Sequence, residues 1–144
     1  MTATAFCLTA AAAFFLAGLA AGVWKYLCIA TTTEARAPLY VDTAHRASLL
    51  YAFACGLLAQ LVAHSAWSNT TNLAAAVVLV VFFAAAVLGY VVHGALRDTD
   101  NQLARPHRLG TGTVSPAAMV TFMVALMVAE IGGFTLIFVG YLAR

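Results

Sequence analysis

Two histidines bracket the stretch "VDTAHRASLLYAFACGLLAQLVAHSAW", residues 41–67, and the first stands in a charged cluster, Asp42-Thr43-Ala44-His45-Arg46. A neutral imidazole is the commonest side-chain ligand for a metal, and it holds haem iron through one ring nitrogen while the other is free to make an orienting hydrogen bond. Asp42 stands three residues before His45, a spacing that places acid and ring on one helix face if the helix begins early enough. A second group follows the same spacing: Tyr90, His93 and Arg97 stand three and four residues apart. His45 and His93 are thus candidate cofactor-binding residues in one layer, with Asp42 as the group that orients the ring and His45 as the metal ligand. Interface histidines also meet lipid headgroups and helix ends, which is the plain alternative for His93.

The other groups able to do chemistry are fewer. Glu130 falls near the centre of a long apolar run, where an acid is costly unless it is protonated or paired. Gln60 is the partner that depth alone suggests. The pair serves either as an inter-helix hydrogen bond or, through Glu130, in substrate contact or proton carriage. Tyr90 and Tyr51 are candidate hydrogen-bond donors to a reacting oxygen. His64, beside Trp67, reads as part of an interfacial belt, and His107, in "RPHRLG", as a solvated or headgroup-facing loop residue. "DTDNQ", residues 98–102, starts like a calcium loop but lacks the required glycine and the closing glutamate, so it reads as a staple at a helix end. No nucleophile elbow, phosphate loop, zinc-protease or dinucleotide signature is present.

Such groups need elements to hold them, and composition says which. The 144 residues are 64% hydrophobic and only 8% charged, with a mean hydropathy of +0.96. Soluble proteins carry roughly 25% charged residues, so these values predict an integral membrane protein. Four apolar runs, about 5–27, 46–67, 73–95 and 117–142, are each long enough to cross a hydrocarbon core of about 30 Å. The expected fold is all-α, a single-domain four-helix transmembrane bundle. The first run has no basic residue before it and is long enough for a full span, so it reads as a retained helix and not as a cleaved signal.

Lys25, Arg36, Arg46, Arg97, Arg105 and Arg108 fall in or beside the first and third connections, and only Arg144 of the seven basic residues lies elsewhere. The positive-inside bias places those connections in the cytoplasm and both termini outside, in a bacterial cytoplasmic membrane. The formal charge of +2 follows from this flanking and gives no support to nucleic-acid binding. Asn69-Thr70-Thr71 lies too near the membrane to count as a glycosylation acceptor. Cys7, Cys28 and Cys55 are isolated and read as small core residues. Gly18-x-x-x-Gly22 forms a small-residue packing face, and Gly132, Gly133 and Gly140 read the same way, with Gly132-Gly133 also able to loosen the helix after Glu130.

At "DTAHRASLLYAF" the chain resembles small four-span bacterial membrane enzymes of the styrene oxide isomerase and hydroxylaminobenzene mutase type. The resemblance implies a trimeric helical bundle with haem b between subunits, and Ala44-His45 matches the motif that makes His45 the axial ligand. The family's Asn-Gly, beginning six residues after its histidine, is replaced here by Tyr51-Ala52, which changes the group near the substrate. Tyr90 matches a tyrosine of the isomerase's third span.

Three functions follow. The first is a haem-dependent isomerase or mutase acting on a small apolar epoxide or N-hydroxyl compound that arrives from the bilayer. The second is a non-enzymatic haem-binding, electron-transfer or accessory subunit, in which His45 and His93 both ligate. The third is a small proton-coupled transporter using Glu130.

Overall fold

The computed structural model describes all 144 residues. Four long helices are present: α1 (Ala3–Thr31), α2 (Leu39–Ala63), α3 (Asn69–Leu96) and α4 (Pro116–Leu142). Each is long and apolar enough to cross a membrane. A two-residue-per-strand hairpin, β1 (Arg108–Leu109) and β2 (Gly112–Thr113), pairs antiparallel within the third connection.

Local signals set the helix starts. The Thr2, Ser68 and Ser115 hydroxyls each accept a backbone N–H in the first turn, from Ala5, Thr71 and Ala118, all at 3.1 Å. Pro116, directly after Ser115, fixes the helical φ where no N–H is needed. The Ser68 cap turns Asn69-Thr70-Thr71-Asn72, expected as connection, into the first turn of α3. The second helix starts at Leu39, seven residues before the apolar run. Pro38 precedes it, Tyr40 and Val41 are buried, and the charge of Asp42 is met by ion pairs, so the polar opening is part of the helix.

The tightest helix pair is α1 with α2. Its close approach depends on missing side chains: a Cβ on Gly18 would stand 2.6 Å from Leu49 Cδ2, and one on Gly22 would stand 2.9 Å from His45 Cε1. The shared core of Cys7, Cys55, Leu58, Ala76, Leu79 and Ile137 is buried among all four helices. Cys7, Cys28 and Cys55 are all buried and unpaired, as small core residues.

At one end, Asn69 Oδ1 accepts Ala3 N at 2.8 Å, and the Trp67 indole donates to Leu136 O at 2.9 Å. These bonds tie the starts of α1 and α3 and the α2–α3 turn to α4. Helix α4 is the loosest member, with 11% of its most apolar window buried. It runs unbroken through Gly132-Gly133, and Gly133 leaves room for Leu79.

Candidate functional site

The His45 ring lies in the notch left by Gly18 and Gly22 of α1. Its Nδ1 is 2.7 Å from the Gly18 carbonyl oxygen. A carbonyl only accepts, so Nδ1 carries the hydrogen, and in the neutral ring the lone pair sits on Nε2. Nε2 has no partner within the chain and is not sealed in: the only enclosed side-chain polar atom without a partner is Asn72 Oδ1. None of the four cavities is lined by His45. Nε2 is therefore unpartnered and not fully enclosed by the chain.

Asp42 does not orient this ring. It bridges Lys25 Nζ of α1 at 2.5 Å and Arg46 Nε at 3.1 Å. A cation from the facing helix and another one turn on hold the carboxylate more strongly than a neutral imidazole can. The group that fixes the His45 tautomer is the Gly18 carbonyl, and the signal for it was the Gly-x-x-x-Gly spacing, which by sequence meant packing alone.

Tyr51 and Tyr90 stand on the other side of α2. The Tyr51 ring stacks on Phe83, centroids 4.2 Å apart, and its hydroxyl donates to Glu130 Oε1 across a long 3.4 Å. Gln60, the partner expected for Glu130, is exposed. It lies about two and a half helical turns beyond Tyr51 and so faces the opposite way. Similar depth brought the two into view, but helix phase decided the contact.

Tyr51 and Tyr90 line two neighbouring spaces. One is an open groove of about 390 Å³ shared with Thr43, Arg46, Ala47 and Leu50. The other is a deeper cavity of about 240 Å³ between α3 and α4.

His93 sits at the edge of that second cavity, away from His45. Its Nδ1 is 2.8 Å from Asp98 Oδ1, with both side chains buried, and its ring packs on Tyr40 with centroids 5.2 Å apart. Asp98 Oδ2 also accepts the Gly110 N–H at 2.6 Å. Burial pushes the Asp98 carboxyl up, but the His93 ring and the Gly110 N–H together outweigh it and hold the group below its ordinary value.

The "DTDNQ" staple is thus real, made by Asp98. Arg97 has left the Tyr90–His93 face, as the left-handed cap of α3 with φ 52°. Within one chain His45 meets α1 while His93 meets Asp98, Tyr40 and the α3–α4 cavity, so the two do not form a joint ligand set. Nor does any group of three or more His, Cys, Asp or Glu side chains come together.

His64 is the exposed cap residue at the end of α2. His107, expected to be solvated or headgroup-facing, is buried at 5% exposure. Its Nδ1 stands 3.2 Å from Gln102 O and its carbonyl takes the Val114 N–H at 2.8 Å, so it is the internal brace of the third connection. No protein-family model, no curated protein and no solved structure matches the chain.

Proposed function

We propose that this is an integral membrane haem enzyme, an isomerase or mutase of small apolar epoxides or N-hydroxyl compounds, with haem b held between copies of the chain in a bacterial cytoplasmic membrane. The first and third connections face the cytoplasm and the termini face outward, a placement supported by the distribution of basic residues. One observation carries the reading: an imidazole whose Nδ1–H is held by a backbone carbonyl and whose Nε2 is unpartnered and not fully enclosed. That donor fits haem iron. The hydrogen bond fixes the tautomer and raises the basicity of the ligating nitrogen, and the side-chain-free Gly22 beneath the ring leaves it room.

Haem held there by His45 would supply a Lewis acid able to polarise the C–O or N–O bond to be broken. The chain supplies the rest. Tyr51 and Tyr90 present hydroxyls at the groove, where a hydrogen bond to the oxygen gaining charge stabilises it. Glu130, at the far end of a weak bond to Tyr51, keeps that hydroxyl directed yet free to exchange partners.

The two halves of this site lie on opposite faces of one copy. At about 100° per residue, Thr43, Ala47 and Leu50 point roughly opposite to His45 on α2. A site uniting them joins different patches of two copies, a head-to-tail contact that closes as a ring, of which a trimer is the smallest.

Protein purified in detergent from cells with ample haem is expected to show a Soret band of an open-faced iron, absent in His45→Ala and retained in Asp42→Ala. Colourless wild-type protein overturns the reading. A low-spin, doubly ligated spectrum replaces it with electron transfer.

A further inference from the structure

The α3–α4 cavity holds a second piece of chemistry that needs no haem. The end nearest the third connection is polar, with His93, Gln102 and Tyr90, and the other walls are Tyr51 of α2, apolar side chains of α4 from Met119 to Leu126, and Ala85, Ala86 and Gly89 of α3. The 2.8 Å bond to Asp98 puts the His93 hydrogen on Nδ1, because a carboxylate accepts. Nε2 then carries the lone pair. It has no partner in the chain, and it is not sealed off.

The groups able to hold charge around the cavity are Asp98 beyond the His93 ring, Tyr40 and Tyr51 from α2, Tyr90 from α3 and, through its bond to Tyr51, Glu130 of α4. The α4 side chains that line the cavity itself are apolar. An imidazole backed by a buried carboxylate, its other nitrogen unpartnered, on a ring that lines a cavity, is the arrangement of a general base.

Size and lining describe the ligand. The cavity measures about 240 Å³, against about 150 Å³ for an engineered apolar cavity that takes up benzene. One ring with one or two small substituents fits it. Two thioethers and a phenyl ring offer favourable contacts to an aromatic face.

We propose that this cavity binds a single-ring aromatic compound bearing one weakly acidic hydroxyl, with His93 as the base that receives its proton. The O–H bond breaks, an N–H bond forms at Nε2, and the resulting imidazolium lies between the aryl oxide and the Asp98 carboxylate. The net charge of the site is unchanged.

The probe is 4-nitrophenol, whose ionised form absorbs in the visible, added to full-length protein in detergent. Saturable binding is expected, with the nitrophenolate band appearing at a pH where the free compound is protonated. Asp98→Asn and His93→Gln should keep binding but lose about tenfold or more of the ionised fraction, the effect of one unit of lost basicity.

Gly89→Leu should abolish binding by filling the cavity. A Cβ there meets only Gln102 Oε1, at 3.9 Å, so the helix itself is not disturbed. His45→Ala, which removes the haem ligand, should change nothing, and that separates this site from the haem reading. Uptake no greater than into empty micelles, binding that survives Gly89→Leu, or a nitrophenolate band untouched in both Asp98→Asn and His93→Gln overturns the proposal.

Discussion

His45 and His93 are chemically the same residue, distinguished in this structure by what touches Nδ1. A backbone carbonyl holds one ring and a buried carboxylate the other. In both cases the acceptor fixes the hydrogen on Nδ1 and leaves Nε2 to act. The Asp98 contact also makes a pH prediction. Its carboxyl is held below the ordinary value, so the stability it contributes is complete above the unfolded-state value of about 3.9 and is lost as pH falls through the lower folded value. Thermal unfolding followed from pH 6 to about pH 3 should show a fall in Tm below about pH 4 that is smaller in Asp98→Asn. An equal fall in both would mean that this staple does not contribute.

At the scale of elements, the α1–α2 seam couples packing to chemistry. Gly22 is both the contact that lets the helices approach and the floor under the His45 ring. Gly22→Ala pushes a methyl into that ring and should cost about 1–3 kcal/mol as overpacking, and it should weaken haem retention, measured by Soret absorbance against protein concentration. Gly56→Ala, on α2 where a Cβ meets nothing within 4 Å, should leave both properties unchanged. If both variants keep full haem, the notch is not what positions the ring. The charged opening of α2 teaches a related lesson. Apolar run length sets the helix start too late, because it counts Asp42 and Arg46 as costs and cannot see Lys25 arriving from α1 to pair with the acid.

For the whole molecule, the proposed site needs two copies, because His45 and the tyrosine groove lie on opposed sides of α2. If the proposed isomerase site is shared, co-expression of a His45→Ala chain with a Tyr51→Phe/Tyr90→Phe chain should restore part of the activity that each lacks alone, through sites that take His45 from one copy and the tyrosines from its neighbour. No recovery in verified mixed oligomers would place the entire site in a single copy.

The amino-acid sequence by itself determined the four apolar helices, the clustering of charge at two connections and the few ionisable residues worth following, because hydropathy, length and residue type are properties of the chain read in one dimension. Only the tertiary structure decided that Gly18 and not Asp42 holds His45, that Glu130 meets Tyr51 and not Gln60, and that His107 is buried. Those outcomes depend on the rotational phase of each helix and on which neighbour reaches a polar group first, and neither is encoded in spacing along one segment.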